Sequence, residues 1–167
     1  LALVGGCVRE LLGSGAETDY DLAVRFQPQV VKRMLEARNI RVIETGIEHG
    51  TVLAVIDGRH YEVTTFRVPG PRQGSSYSET IQEDLSGRDF TINAMAYDLS
   101  SGRLIDPHEG LSDLQQGLLR CVGNARERLC EDPLRILRVV RFGDAAGRVV
   151  HPDTAAAAES LGSTLSS

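Results

Sequence analysis

With 167 residues, 41% of them hydrophobic, the chain is long enough for one globular domain, or for one domain and the beginning of a second. No run of about 18 apolar residues is present, so no membrane-spanning helix is predicted, and the first residues lack the basic segment and cleavage site of a signal peptide. The formal net charge of −5 disfavours a polyanionic partner, and three cysteines without metal-ligand spacing suit a reducing, cytoplasmic environment rather than a disulfide framework or zinc finger.

The first 67 residues alternate between predicted strands and predicted helices. Short strands are predicted at Leu1–Val4, Asp21–Phe26, Ile40–Ile43, Thr51–Ile56 and Tyr61–Phe66. The first of them reads as a strand whose natural start is missing. A short helix is predicted at Val8–Leu12, and a second begins at Pro28 and runs to Arg38 along an apolar stripe. Asp57-Gly58 predicts a hairpin turn.

The remaining residues are predicted to be mostly helical. Val68–Ser78 is rich in Pro, Gly and Ser and is predicted to be a loop. Helices are predicted near Glu79 and at Thr91–Ala96, Glu131–Phe142 and Thr154–Leu161, and a short strand at Arg103–Ile105. The layout predicts an α+β fold, in which residues 1–120 form a small mixed sheet with flanking helices. Residues 121–167 form the start of an all-helical region that is unfinished at its end.

Two glycines, Gly5 and Gly6, follow the first predicted strand. Glycines at this place let the backbone approach a phosphate closely and leave free N–H groups at the start of the next helix. Arg9 lies one turn into that helix, where its guanidinium can meet phosphate oxygens. No Gly-Lys-Ser/Thr follows, so this is not a Walker loop. The pattern predicts a phosphate-binding turn of another kind.

Two carboxylates, Asp19 and Asp21, flank Tyr20 at the beginning of the second predicted strand. The two-residue period of a strand places both on one face. Carboxylates at that distance repel each other unless a divalent cation neutralises them, and Mg²⁺ prefers such hard oxygen ligands. A lone pair of this kind is most often a solvated turn. The order of strand, glycine turn, Arg-bearing helix and paired aspartates is much more specific than any one part.

In that order, these features resemble the polymerase β-like nucleotidyltransferase superfamily, in its branch of class II tRNA nucleotidyltransferases and bacterial poly(A) polymerases. Three later motifs agree: Tyr61–Arg67 resembles the strand that carries a third acidic residue, Arg88–Ala94 the ribose-contacting element, and Glu131–Phe142 the element that reads the incoming base. The resemblance implies catalytic carboxylates at Asp19, Asp21 and Glu62, with Asp19 and Asp21 as metal ligands. It implies nucleotide contacts from Gly5, Gly6, Arg9, Arg88, Asp89, Asn93, Asp132, Arg135, Arg138 and Arg141. The fold it implies is a nucleotidyltransferase head followed by a helical neck.

Asp132 and Arg135 are the residues that this resemblance assigns to base recognition. Three positions apart on a helix, they share a face. An ionised Asp only accepts hydrogen bonds and Arg only donates them, so together they match the Watson–Crick edge of C or A, while G and U present the opposite pattern and are rejected. The alternative is an ordinary ion pair on a helix surface.

The activity that the resemblance implies is template-independent addition of C and A to the 3′ end of tRNA from CTP and ATP, with Mg²⁺ as cofactor. The alternatives are a bacterial poly(A) polymerase, which shares the same head chemistry, and a non-catalytic nucleotide- or RNA-binding module, for which a broken Asp-x-Asp is expected. Between Arg120 and Arg148 there are seven arginines against four acidic residues, which suits an RNA partner. A GC-rich genome also produces many arginines, so composition alone does not indicate RNA.

The sequence departs from the family pattern at several places. Glu10 stands where the family usually has Asp, and Gly87 stands where it usually has Arg. The loop Val68–Ser78 carries a single charge, Arg72, whereas the family loop is longer, charged and implied to switch the pocket from C to A. The short loop predicts addition of CC with weak or absent addition of A, unless loop residues are missing from the sequence. The chain also ends before the helical body and tail that bind tRNA in the family.

Overall fold

The computed structural model describes residues 1–15, 19–44, 46–70, 76–143 and 147–162. In this part of the chain the strands are β1 (Ala2–Val4), β2 (Asp21–Val24), β3 (Arg41–Ile43), β4 (Thr51–Ile56), β5 (Arg59–Thr65), β6 (Ala96–Asp98), β7 (Arg103–Ile105), β8 (Leu118–Leu119) and β9 (Val149–Val150). The α-helices are α1 (Gly6–Leu12), α2 (Pro28–Glu36), α3 (Ile81–Ser86), α4 (Gly110–Gln115), α5 (Ala125–Cys130), α6 (Leu134–Phe142) and α7 (Pro152–Gly162). Single turns of 3₁₀ helix lie at Ile47–His49 and Thr91–Asn93.

Seven strands form one mixed sheet in the order β3-β4-β5-β2-β1-β6-β7. Neighbours in this sheet are antiparallel, except that β2 and β5 run parallel. The parallel register places Asp21 directly beside Glu62. The predicted α+β class, a small mixed sheet with flanking helices, is confirmed. The pairing of β2 with β5 determines where the acidic residues Asp21 and Glu62 come together.

The helices cover the two faces of the sheet according to the alternation of its side chains. Val31 of α2 packs against Val52 and Val63 on one face. Leu85 of α3 packs on the opposite face, against residues such as Val4. Burying a Val or Leu side chain stabilises a fold by about 1.5–3 kcal/mol, so these clusters fix both helices. The even-numbered side chains of β5 lie on the face of the sheet that α3 covers, called the α3 face below. There they can line a functional site.

The residues beyond 120 pack directly on the 3₁₀ turn at Thr91–Asn93. A single apolar cluster contains Phe90, Ile92, Leu119, Cys121, Ala125, Leu129, Val139 and Ala157. The cluster crosses the predicted boundary between residues 120 and 121, so the division into head and neck stays a prediction. The strands β8 and β9 also cross it as a two-stranded parallel pair, which adds a short strand to the region predicted to be all helical.

The hairpin predicted at Asp57-Gly58 is confirmed. Strand β4 ends at Ile56 and β5 begins at Arg59, and both turn residues have positive φ, 51° at Asp57 and 76° at Gly58. Two positive φ angles match the twist of the flanking strands, and Asp-Gly favours that turn. No helix in the described ranges is long and apolar enough to span a bilayer.

The helix predicted at Thr91–Ala96 is wrong beyond its first turn. The chain makes one 3₁₀ turn at Thr91–Asn93, and Ala96 then begins β6. The backbone N–H of Thr91 donates to the Arg120 carbonyl at 2.9 Å, and its hydroxyl donates to the buried Asp113 carboxylate at 2.6 Å. These contacts with a distant part of the chain override local helix propensity.

The helix predicted at Glu131–Phe142 begins three residues later, at Leu134. Pro133 precedes it, and the Leu134 N–H donates to Asp132 Oδ1 at 3.0 Å. The side chain of Asp132 therefore satisfies one of the free N–H groups at the helix start, and Asp132 lies in the turn between α5 and α6 rather than inside a helix.

The loop predicted at Val68–Ser78 is closed at its base by a short antiparallel contact. The Val68 N–H donates to the Ser76 carbonyl at 3.0 Å, and the Ser78 N–H donates to the Phe66 carbonyl at 2.9 Å. Residues 71–75, and with them Arg72, lie outside the described residues. The helix predicted near Glu79 begins at Ile81, capped by the Thr80 side chain.

Candidate active site

A cleft of about 550 Å³ opens between the α3 face of the sheet and α6. Its lining includes every residue predicted for the site except Asp19: Gly5, Gly6, Arg9, Asp21, Glu62, Arg88, Asp89, Asn93, Asp132, Arg135, Arg138 and Arg141. A second cleft, of about 620 Å³, lies between α5 and α7 and contains none of the predicted residues. The fold therefore gathers motifs that are more than 100 residues apart in one place.

The acidic side of this cleft is formed by Asp21 and Glu62, on the parallel strands β2 and β5. Partial burial raises the pKa of Asp21 above its ordinary value, the charge of Glu62 raises it further and Asp19 adds a smaller increase, against a lowering by Arg88. Asp19 is exposed, but its charge reaches the same site. Within the described ranges, no group of three or more His, Cys, Asp or Glu side chains is arranged to hold a metal ion. Two neighbouring carboxylates that repel each other are nonetheless a donor set that suits a hard divalent cation.

Gly5 forms the floor of the cleft, and its backbone excludes a side chain. It has a φ of 71° and a ψ of −130°, and its N–H donates to the Met95 carbonyl at 3.2 Å. A Cβ atom at this position would lie 2.7 Å from Nη1 of Arg88. Gly5 therefore serves two purposes: it adopts a conformation that other residues rarely reach, and it leaves room for the Arg88 guanidinium.

Arg88 is held in the cleft by Asp84, which the sequence analysis did not assign to the site. Nη2 of Arg88 donates to Asp84 Oδ2 at 3.0 Å, and the Arg67 N–H donates to Oδ1 at 3.0 Å. Asp84 is buried, so both of its oxygens are used within the protein. Asp84 lies four residues before Arg88, a spacing at which oppositely charged side chains on a helix meet. This spacing is the feature of the sequence that could have predicted the pair.

A continuous line of hydrogen bonds connects α1 to α6 along the other wall. Arg9 donates to Glu10 Oε1, at 2.7 Å from Nη2, and to Asn93 Oδ1. Nδ2 of Asn93 donates to Asp89 Oδ1 at 3.1 Å, and Nε of Arg138 donates to Asp89 Oδ2 at 2.6 Å. The bond from Arg9 lowers the pKa of Glu10. Asp89 is buried, and it fixes the orientation of Asn93 and Arg138.

The ring of Phe142 collects three guanidinium groups at the end of α6. The guanidinium carbons of Arg9, Arg138 and Arg141 lie 4.9, 5.1 and 5.3 Å from its centroid. The ring also meets Phe90 edge to face, with centroids 6.0 Å apart. Cation–π contacts are worth about 0.5–1 kcal/mol each at exposed sites, so Phe142 offsets part of the repulsion between the cations. The result is a concentrated positive charge that suits a polyphosphate.

Arg135 is fixed by contacts with both neighbouring elements. Its Nη1 donates to Glu131 Oε2 at 2.7 Å and to the Arg128 carbonyl at 3.0 Å, and its Nη2 donates to the Gly87 carbonyl at 2.9 Å. The ion pair of Arg135 is therefore made with Glu131, four residues earlier, and Arg135 and Asp132 both line the cleft.

Gly87, where the resembled family usually has Arg, is closely covered by the base of the loop. A Cβ atom at this position would lie 3.3 Å from Cα of Pro69. A larger residue at position 87 would require Pro69 at the base of the loop to shift. The absence of a side chain at Gly87 therefore allows Pro69 to lie where it does.

Comparison with known proteins places this chain in a family. A family model described as Poly A polymerase head domain matches residues 1–120. The CCA-adding enzyme of Oceanobacillus iheyensis is 45% identical over 157 residues, which are 90% of this chain and 38% of that protein. The CCA-adding enzyme of Streptococcus sanguinis is 44% identical over 160 residues, 92% of this chain and 39% of that protein. The chain thus spans less than two fifths of the length of these relatives.

Two solved structures show the same arrangement of elements. The CCA-adding enzyme of Bacillus stearothermophilus in complex with CTP superimposes with a TM-score of 0.85 at 39% identity, over 93% of this chain and 38% of that one. A tRNA nucleotidyltransferase complexed with a primer tRNA and an incoming ATP analog gives a TM-score of 0.77 at 32% identity, over 96% of this chain and 47% of that one. The resemblance stated from the motifs is confirmed, and the chain belongs to the Poly A polymerase head domain family.

Proposed function

We propose that this chain is the nucleotide-adding part of an enzyme that extends the 3′ end of tRNA with C and A, using CTP and ATP without a template and releasing pyrophosphate. The observation that carries the proposal is that one cleft is lined by an acidic pair, a cationic cluster, Asp132 and Arg135. The relatives named CCA-adding enzyme and the neighbours solved with CTP and with primer tRNA support it. In this proposal the protein acts in the cytoplasm, where bacteria process tRNA.

In this proposal the acidic residues act on the reacting groups through a divalent cation. Asp21 and Asp19, with Glu62, would hold Mg²⁺, which when bound supplies a Lewis acid that lowers the pKa of the primer 3′-hydroxyl and neutralises charge on the pyrophosphate. Burial and then the charge of Glu62 raise the pKa of Asp21, and a cation at this place would relieve the repulsion between the two carboxylates. No covalent link between enzyme and nucleotide is needed.

The cationic side of the cleft binds the nucleotide. The three guanidinium groups around Phe142, those of Arg9, Arg138 and Arg141, supply charge for the triphosphate. The glycine turn at Gly5 and Gly6 leaves room for close approach, and Arg88, with Asn93, faces the sugar. Arg88, Arg9 and Arg138 are held by the buried residues Asp84, Asn93 and Asp89, so these three guanidinium groups need little further ordering when the nucleotide binds.

Asp132 and Arg135 select the base in this proposal. The Asp132 carboxylate accepts from the Leu134 N–H in the turn before α6. The Arg135 guanidinium, in the first turn of α6, donates to the Gly87 carbonyl and the Glu131 carboxylate. An acceptor and a donor in fixed positions match the amino group and ring nitrogen of C or A. A base with the opposite pattern leaves both groups unpaired away from water, which is strongly unfavourable.

Replacing Asp132 by Ala is expected to reduce the choice between nucleotides more than it reduces affinity for them. The triphosphate contacts remain, while the acceptor for the base amino group is lost, so incorporation of U or G relative to C should rise by about tenfold or more. Single-nucleotide incorporation with each labelled triphosphate measures this ratio. The matched control is Asp153→Ala, at an exposed acid on α7. Unchanged nucleotide choice in the Asp132 variant would show that the residue only caps α6.

The activity itself is tested by incubating the protein with tRNA that lacks its 3′ end, first with each labelled nucleotide alone and then with CTP and ATP together. Addition of C from CTP alone is the expected result, and sequencing-gel analysis of the product with both nucleotides shows whether ends stop at CC or continue to CCA. Ends that stop at CC are expected if the short loop after Val68 cannot switch the pocket. Long tails made from ATP alone would instead identify a poly(A) polymerase, and no addition at all would favour a binding module.

A further inference from the structure

Three polar side chains outside the assigned residues form a line that ends at Glu62. Nη2 of Arg67 lies 3.2 Å from Oγ1 of Thr51, the two hydroxyl oxygens of Thr51 and Thr64 are 3.0 Å apart, and Oγ1 of Thr64 lies 3.4 Å from Oε1 of Glu62. Thr51 and Thr64 are direct partners across β4 and β5. Since Glu62 and Thr64 are two residues apart on one strand and Thr51 is the cross-strand partner of Thr64, these three side chains share the α3 face of the sheet.

The chemistry of the four groups gives this line one direction. Arg67 only donates and the Glu62 carboxylate only accepts, while each hydroxyl has one proton to give. Every contact then holds a proton only if Arg67 donates to Thr51, Thr51 to Thr64, and Thr64 to Glu62. Successive hydrogen bonds in one direction polarise each other, so the cation of Arg67 acts on the carboxylate through the two hydroxyls.

Arg67, at the far end of the line, is held through both its backbone and its side chain. The Arg67 N–H donates to the buried carboxylate of Asp84 at 3.0 Å, and its Nη2 donates to the His49 carbonyl at 2.9 Å. The residue also forms a β-bridge with Tyr77 at the base of the loop. Arg67 is therefore a fixed starting point for the line.

Glu62 needs such support more than Asp21 does. Glu62 is exposed, whereas Asp21 is partly buried on β2. The longer side chain of Glu also has more rotamers, so holding it in one of them is entropically unfavourable. A carboxylate that shares a cation with a neighbouring strand must be held in one rotamer for the pair to act together.

We propose that Thr64 and Thr51, with Arg67 behind them, are positioning residues that hold the Glu62 carboxylate beside Asp21 for a shared divalent cation. This inference rests on the proposed function, because it assigns Glu62 to the same metal-binding group. The contact from Thr64 to Glu62 is long for a hydroxyl–carboxylate hydrogen bond, so the expected effect of removing it is moderate.

The test is the binding of Mn²⁺ to the protein, measured by electron paramagnetic resonance, in parallel with nucleotide addition at varied Mg²⁺. Thr64→Val keeps the shape and the strand preference of the side chain but removes the hydroxyl, and we expect it to weaken Mn²⁺ binding by about three- to tenfold, the equivalent of one hydrogen bond. Thr64→Ser should restore the affinity. The matched control is Thr65→Val, because the Thr65 hydroxyl donates to the Phe26 carbonyl at 2.8 Å and not to the line. That variant should lower thermal stability and leave Mn²⁺ affinity unchanged.

A second measurement shows whether Thr64 acts through Glu62. In a Glu62→Ala background, which leaves the Thr64 hydroxyl no acceptor at this position, Thr64→Val should have no further effect on Mn²⁺ affinity. The proposal is overturned if Thr64→Val binds Mn²⁺ as the unchanged protein does, if it has the same effect without Glu62, or if the unchanged protein binds no Mn²⁺. Weakened Mn²⁺ binding in a protein that adds no nucleotide to tRNA would overturn the proposed function and leave the positioning role standing.

Discussion

Replacing Asp21 by Asn is expected to reduce nucleotide addition by about a thousandfold or more, while the protein without divalent cation becomes more stable. The loss follows because an amide removes the charge that would hold the cation, and a metal ion contributes several kcal/mol to reactions of this type. The gain in stability follows because burial and the charge of Glu62 raise the pKa of Asp21 in the folded protein. Ionising Asp21 is therefore harder in the folded chain than in the unfolded chain.

The pH dependence separates these two effects. A carboxyl with a raised folded-state pKa destabilises the protein as the pH rises from the ordinary pKa of Asp to the raised value, and the loss remains above that. The midpoint of thermal unfolding is measured without divalent cations at several pH values from acid to neutral. Its decrease with rising pH should be less steep in Asp21→Asn than in the unchanged protein. Added Mg²⁺ should stabilise the unchanged protein and not the variant. Asp153→Asn, at an exposed position, is the control for loss of one negative charge. Activity within tenfold of normal in Asp21→Asn would remove Asp21 from the reaction.

Replacing Gly5 by Ala is expected to destabilise the fold and to weaken nucleotide binding together. The φ of 71° and ψ of −130° at this position lie in a region that is nearly restricted to glycine, and strain of this kind is unfavourable by about 1–3 kcal/mol. The new Cβ would also meet Arg88 Nη1 at 2.7 Å. Because Asp84 holds Arg88 from the other side, the guanidinium must leave its place, and CTP affinity should fall by about tenfold.

The neighbouring glycine provides the control for this substitution. Gly6 does not have positive φ, and the nearest atom to an added Cβ is Nη2 of Arg9, at 3.8 Å. Gly6→Ala should therefore keep or raise the free energy of unfolding, since alanine favours a helix over glycine by about 1 kcal/mol. Denaturant unfolding and isothermal titration with CTP measure both quantities. Equal stability of the two variants would show that the strain at Gly5 is relieved by the backbone.

The parts of the fold and the site that could be predicted from the sequence are those determined by residues close together in the chain. The glycine turn, the aspartates around Tyr20 and the Asp57-Gly58 hairpin each follow from neighbouring residues, so their positions could be stated in advance. The motif resemblance then indicated that Glu62 belongs with Asp21, although the spacing of the sequence alone does not show that β2 and β5 are parallel partners. That pairing depends on how the intervening chain, residues 25–58, packs.

The parts that the sequence did not predict are set by contacts between distant segments. Asp84 was not assigned because its second partner, the Arg67 N–H, comes from another element. The helix expected at Thr91–Ala96 was replaced by a single turn because Thr91 bonds to Arg120 and Asp113. The use of both oxygens of Asp89 within the protein likewise depends on the approach of α6. Each of these is a tertiary effect that overrides or adds to the local pattern.

The hydrogen-bonded wall that joins Arg9, Asn93, Asp89 and Arg138 also limits how the cleft can move. A hydrogen bond weakens steeply when it is stretched or bent, so α1 and α6 must shift together unless the bond between Asp89 and Arg138 is released. The Phe90 N–H donates to the other oxygen of the same carboxylate, Asp89 Oδ1, at 2.9 Å. We expect the wall to move as one stiff piece, with slow amide exchange at Phe90 while Asp89 keeps its orientation.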